Sequence, residues 1–253
     1  MQYFLVPVLV EKLYDYLIKN EEHMLEISKY LNIIFCGGAP LSKEILNKFS
    51  ELDISVINGY GMTECSPVIS TNTKSENRIG SVGKALEGIT LKVFNADKDG
   101  VGELYVKGPS VMRGYLDDVI ANQASFEGEW FKTGDIVKID EDGYIFIKGR
   151  AKNLILMGNG QNVYPEEIER VLLTYDEIEE VIVYQKNNKI VAEVYPKYSE
   201  KNVKNMKEVK SAVQKVIAQF NSNQPYYKNI SELVVRDQQF EKTSMRKIKR
   251  VMQ

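Results

Sequence analysis

Four short stretches carry residue types that could grip a nucleotide. The first is Gly59-Tyr60-Gly61-Met62-Thr63-Glu64. Glycine has no Cβ, so backbone can come close to a flat ligand there, and the Tyr60 ring offers a face for a purine. Thr63 supplies a hydroxyl donor for a phosphate oxygen, and Glu64 is a hard oxygen ligand suited to magnesium. Taken alone, the same stretch is a glycine turn with exposed polar residues. The second is Trp130-Phe131-Lys132-Thr133-Gly134-Asp135. An aspartate at a strand start can accept two hydrogen bonds from a ribose diol, as an acidic residue does in dinucleotide folds. It can equally be a turn aspartate capping a hairpin. In the third, Gly149-Arg150-Ala151-Lys152, Arg150 could reach the same ribose or a phosphate, or be a surface arginine in a linker. The fourth runs from Glu241 through Lys242, Arg246, Lys247 and Lys249 to Arg250. On its own it is a solvated basic tail, with nucleic acid as a remote partner.

These residues must be positioned by an α/β framework. Apolar spacing over 11–30 (Leu13, Tyr14, Tyr16, Leu17, then Leu25, Ile27, Tyr30) predicts one or two helices, preceded by an extended segment from Tyr3 to Val8. The run Leu31–Phe35 ends in Cys36-Gly37-Gly38-Ala39-Pro40. Ser42 can cap a helix with inner face Ile45, Leu46 and Phe49. A second apolar run, Ile54–Ile57, leads into the Gly-Tyr-Gly stretch. Strand, glycine loop, helix, strand, glycine loop predicts a βαβ unit with parallel strands. Both glycine loops then lie at the carboxyl edge, where open α/β sheets bind ligands.

From about Gly80 the pattern shifts to short strands: Ile89–Phe94, Gly102–Lys107, Ile136–Ile139 and Tyr144–Lys148, with Asp140-Glu141-Asp142-Gly143 as a hairpin turn. Beyond Arg150, Pro165 can open a helix with Glu166, Glu167 and Glu169 near its positive end. Ile178–Tyr184 and Ile190–Tyr195 form a hairpin across Asn187-Asn188. A helical face repeats Val209, Val213, Val216, Ile217 and Phe220, and Ile230–Val235 is a further strand. The expected layout is a partial parallel βαβ sheet over 1–85, a β-rich subdomain over 86–150, and a small α+β domain over 151–253.

Composition narrows the classes. A formal charge of -2, from 33 basic and 35 acidic residues, gives no pull toward nucleic acid. Cys36 and Cys65 are the only cysteines, which argues against a disulfide framework and fits a reducing, cytoplasmic setting. The single histidine, His23, excludes zinc sites built on several histidines and weakens any Ser-His-Asp reading. No apolar run reaches membrane-spanning length.

In order, Gly37-Gly38-Ala39-Pro40-Leu41, the Gly-Tyr-Gly-Met-Thr-Glu stretch, Lys132-Thr133-Gly134-Asp135, Gly149-Arg150 and the lysine-rich end resemble the adenylate-forming superfamily. That group includes acyl-CoA synthetases, luciferases and peptide-synthetase adenylation domains. The stretch from Asn159-Gly160-Gln161 to Glu169 is most similar to long-chain fatty acyl-CoA ligases. The resemblance implies that the chain corresponds to the C-terminal half of such an enzyme, its last domain acting as a mobile lid. It implies ATP and AMP, magnesium and coenzyme A as ligands, and a fatty acid as co-substrate. Oligomeric state and peripheral membrane contact stay open.

The resemblance also implies roles. Gly37, Gly38 and Ala39 would border the acyl and adenine pockets, with Gly59, Gly61 and Met62 in the nucleotide wall. Tyr60 would stack on adenine, Thr63 hold the α-phosphate and Glu64 the magnesium. Asp135 would bind both ribose hydroxyls with Arg150 in support. Lys152 matches the hinge, Gly160 a loop on the coenzyme A side, and Lys247 the lysine that enters the site during adenylation. Two departures stand out. Glu241 and Arg246 occupy positions where the family carries proline and glycine, and no Ser/Thr/Gly-rich phosphate loop ending in Pro-Lys-Gly occurs. The chain alone is therefore expected to show little adenylation. An acyl-carrier-protein ligase, an adenylation domain, and a non-catalytic nucleotide-binding or interaction fragment are the alternatives.

Overall fold

A computed structural model describes residues 2–37, 41, 43–197, 206–243 and 248–250. The expectations placed on Gly38, Ala39, Ser42 and Lys247 lie outside the described residues. The chain divides into two compact units, Met1–Ile147 and Lys148–Gln253.

In the first unit, strand β1 (Gln2–Leu5) precedes helices α1 (Pro7–Lys19) and α2 (Glu21–Tyr30). Pro7 occupies the first turn of α1, where its missing N–H costs nothing. The extended opening therefore ends two residues before Val8. Next come β2 (Ile33–Cys36), α3 (Lys43–Glu51) and β3 (Ser55–Gly61). Strands β1, β2 and β3 are parallel, so β2–α3–β3 is the expected βαβ unit. Val10, Leu17, Ile34, Leu46, Phe49 and Val56 form its core, with Phe49 fully enclosed.

Strand β3 runs further than its apolar residues do. Gly59, Tyr60 and Gly61 are paired antiparallel with β4 (Val68–Thr71), which pairs with β5 (Lys84–Ala85). The Gly-Tyr-Gly stretch is thus a strand end and not a turn. A Cβ on Gly61 would lie 1.9 Å from the carbonyl oxygen of Pro67, so glycine is needed for the close approach of β4.

The β-rich part contains β6 (Thr90–Phe94), β7 (Val101–Lys107), α4 (Val119–Ser125), β8 (Phe126–Glu127), β9 (Trp130–Ile139) and β10 (Ile145–Arg150). Sheet order is β10-β9-β7-β6, with β8 on β9. Its core joins Leu104, Val106, Phe131, Val137 and Ile145 to Cys65 and Ile69, and Ile145 bonds to the Val82–Gly83 backbone. The 1–85 and 86–147 stretches therefore share one body.

The second unit has the short pair β11 (Ile155–Leu156) and β12 (Asn162–Val163), then α5 (Pro165–Leu172), β13 (Ile178–Lys186), β14 (Lys189–Pro196), α6 (Met206–Ser222) and β15 (Glu232–Val235). The β13–β14 turn places Asn187 and Asn188 both at positive φ, 49° and 59°, which asparagine tolerates. β15 adds parallel to β14. Val213, Val216, Ile217 and Phe220 on α6 cover the sheet with Val183, Ile190 and Val194.

The basic end differs from a solvated tail. Arg250 grips both oxygens of Glu169 at 2.5 and 2.6 Å and donates to the Val183 carbonyl at 3.1 Å. Lys242 pairs with buried Glu180, whose other oxygen accepts from Phe240 N at 2.9 Å. Buried carboxylates of this kind require partners, and the tail supplies them. Among the described residues, no helix is long and apolar enough to cross a membrane.

Candidate nucleotide site

β3 and β9 bring the two most telling motifs together. The Tyr60 hydroxyl donates to Asp135 Oδ2 at 2.6 Å, linking residues 75 apart in sequence. Asp135 is 5% exposed and lies in mid-strand rather than at a strand start. It can reach Tyr60 because β9 bulges. Ile136 pairs with Glu103 and Lys132 with Tyr105, so Thr133, Gly134 and Asp135 all face the single residue Leu104. Gly134 takes φ 69° to make that excursion. The Thr133 hydroxyl donates to the Leu104 carbonyl at 2.8 Å and accepts from Asp135 N at 3.1 Å, which fixes the bulge.

Gly37 follows β2 and lies beside β3, where an added Cβ would be 3.8 Å from the Gly59 carbonyl oxygen. One residue earlier on β3, Asn58 carries a buried Oδ1 with no hydrogen-bond partner, a group that normally finds one. Met62 precedes a short 3-10 turn, Thr63–Cys65, and packs against the β-rich core. Thr63 is exposed and Glu64 half-buried, so both can meet a ligand from solvent. Glu64 Oε1 accepts from the Tyr115 hydroxyl at 3.0 Å, and its carbonyl accepts from Met112 N at 2.8 Å. Tyr115 was not legible as a site residue. A lone tyrosine after Arg113-Gly114 carries no spacing signal.

Gly37, Gly59, Tyr60, Gly61, Thr63, Glu64 and Asp135 thus lie in one unit, around the ends of β2 and β3 and the β9 bulge. Arg150, Lys152 and Gly160 belong to the second unit. Arg150 is exposed at the end of β10, Lys152 exposed in the 3-10 turn Ala151–Asn153, and Gly160 takes φ 78° in the β11–β12 loop. Both thiols are poor nucleophiles. Burial first, then the nearby charges of Glu11 and Glu64, push Cys36 and Cys65 each up to about 11.

The parts present are a glycine-lined strand edge, an aromatic ring, a buried carboxylate and a hydroxyl–carboxylate pair. Together they suit a purine, a ribose diol and a phosphate with its cation. The chain is similar to several known proteins. The 2-succinylbenzoate–CoA ligase of Listeria monocytogenes is 43% identical over 155 residues, covering 60% of this chain and 32% of that protein. O-succinylbenzoate coenzyme A synthetase of Bacillus subtilis in complex with AMP superposes with TM-score 0.76 at 27% identity, covering 98% of this chain and 49% of the other. The same enzyme with ATP and magnesium gives 0.75 at 26%, covering 98% and 50%. The chain spans about half the length of these solved structures. The profile described as AMP-binding enzyme matches residues 2–116, and that of the AMP-binding enzyme C-terminal domain matches residues 152–252. With sequence, fold and both profiles in agreement over most of its length, this chain belongs to the AMP-binding enzyme family.

Proposed function

We propose that this chain carries the nucleotide-gripping portion and the C-terminal domain of an acid–CoA ligase. Such an enzyme joins a carboxylic acid to the α-phosphate of ATP, releasing pyrophosphate, and coenzyme A thiol then displaces AMP from the acyl-adenylate. The observation that supports this most is the 2.6 Å bond between Tyr60 and Asp135. It draws the Gly-Tyr-Gly-Met-Thr-Glu and Lys-Thr-Gly-Asp motifs to one place.

On this reading the Tyr60 ring carries adenine, and the orphaned Oδ1 of Asn58 accepts from the adenine amino group. Asp135 binds the ribose diol and Thr63 the α-phosphate. Magnesium fits the donor set as a shared ligand. Among the described residues no group of three His, Cys, Asp or Glu could hold a metal alone, and one carboxylate plus substrate phosphates is the arrangement magnesium favours. Bound at Glu64, it would offset phosphate charge. Lys247 would bring a point charge to the phosphoryl oxygens, an effect worth on the order of 100- to 1000-fold in rate. Arg150 would support the ribose, Lys152 would act as hinge and Gly160 would face coenzyme A.

Residues 159–169 favour a long-chain fatty acid as substrate. The Listeria and Bacillus relatives named above are succinylbenzoate–CoA ligases, which favours an aromatic dicarboxylic acid, and we adopt that reading. Acid-dependent exchange of pyrophosphate into ATP, measured on the full-length enzyme that carries these residues, tests it. Exchange with 2-succinylbenzoate and none with palmitate is expected. The reverse result restores the fatty acid, and exchange with neither acid, where AMP still binds, refutes both assignments.

A further inference from the structure

We propose that Tyr115, held from behind by Asn122, is a positioning residue that orients the Glu64 carboxylate toward a magnesium–nucleotide complex. The proposal rests on the reading of Glu64 given above.

A half-buried glutamate has three side-chain torsions and loses substantial freedom when it binds a cation. Here that freedom is already restricted. The Tyr115 hydroxyl donates to Glu64 Oε1 at 3.0 Å, bridging 51 residues of sequence. One donor on Oε1 leaves Oε2, and a further lone pair on Oε1, for other partners. The backbone is fixed from the same segment, because Met112 N donates to the Glu64 carbonyl at 2.8 Å. Main chain and side chain of Glu64 are thus gripped by residues three apart.

Tyr115 is itself clamped. Its N–H donates to Asn122 Oδ1 at 2.6 Å and its carbonyl accepts from Asn122 Nδ2 at 2.8 Å, so one amide satisfies both backbone groups. Asp118 caps the helix that carries Asn122, α4, by accepting from Ala121 N at 2.9 Å. Gly114 is required for the approach. It takes φ 149°, and a Cβ there would lie 2.7 Å from Asn122 Oδ1. Helix α4 buries none of its side chains, so core packing does not account for it. Its Asn122 instead holds Tyr115.

The test is a titration of the protein with N-methylanthraniloyl-ATP, in magnesium and in EDTA. The unmodified protein should bind more tightly in magnesium. Tyr115→Phe should leave the EDTA affinity unchanged and lower the magnesium-dependent gain about fivefold, the worth of one net hydrogen bond. Asn122→Ala should reproduce that loss, and Glu64→Gln should abolish the gain. If Glu64→Gln abolishes the gain and Tyr115→Phe retains it, the role of Tyr115 is wrong and that of Glu64 stands. Equal weakening by Tyr115→Phe in magnesium and in EDTA marks a merely structural role and overturns the proposal. Retention of the gain by Glu64→Gln, or no gain in the unmodified protein, overturns both readings.

Discussion

Replacing Asp135 by asparagine should cost the protein about two orders of magnitude in AMP affinity. The residue is 5% exposed and accepts from Tyr60 at 2.6 Å, a short bond to a charged acceptor. A carboxylate has lone pairs left for two ribose hydroxyls. Each such bond is worth ~1.5 kcal/mol at the lower end for charged acceptors. Two of them give ~3 kcal/mol, or roughly 100-fold in Kd. An asparagine keeps the shape but offers one acceptor oxygen, and its NH2 would oppose a hydroxyl or the Tyr60 donor. Isothermal titration with AMP and with 2′-deoxy-AMP separates the ribose contribution from the rest. The unmodified protein should prefer AMP by roughly tenfold, one such bond. In Asp135→Asn that preference should vanish along with most of the affinity. A folded Asp135→Asn protein that still prefers AMP over the deoxy compound would refute the ribose role.

Three further outcomes are expected. Gly61→Ala should destabilise the first unit by about 2 kcal/mol or more, since its Cβ would sit 1.9 Å from the Pro67 carbonyl oxygen and backbone must move; an unchanged melting temperature contradicts this. Burial works to raise the Glu167 carboxyl, but Lys148 at 2.8 Å and Lys228 at 3.4 Å outweigh it and hold the group below its ordinary value of 4.5. Glu167 therefore adds stability above that value and loses it as pH falls through the lower folded one. Thermal melts should show this acid limb flattened in Glu167→Gln. In the full-length enzyme, Lys247→Ala should cripple adenylation and spare thioester formation from preformed acyl-adenylate, and equal loss in both half-reactions rejects its role.

How far the sequence carried depended on the range of the interaction. The βαβ unit was legible because Leu31–Phe35 and Ile54–Ile57 are apolar runs on either side of an amphipathic helix. The β13–β14 hairpin was legible because Asn187 and Asn188 tolerate the positive φ that a tight turn needs. Gly59 and Gly61 were misread as a loop. Glycine marks close backbone approach as readily as a turn, and only the partner strand β4 decides between them. Asp135 was placed at a strand start, because the bulge opposite Leu104 depends on register with β7 and leaves no local pattern.

The docked end escaped for a similar reason. Lys242 and Arg250 look like part of a charge run, and their neutralising partners Glu180 and Glu169 lie far back in the chain. Asn122 and Tyr115 were missed outright, since an asparagine serving two backbone groups has no signature in spacing. The residues expected to line a nucleotide came instead from motif order, and the geometry shows that two of them, Tyr60 and Asp135, meet.

The central claim is that Gly37, Gly59–Glu64 and Asp135 surround one adenosine monophosphate. Amide chemical-shift mapping of isotopically labelled protein titrated with AMP measures this most directly. The account predicts that signals of Gly37, Gly59 to Glu64 and Thr133 to Asp135 shift together along one binding curve. Shifts confined to one of these segments, or separate curves for β3 and β9, would contradict it.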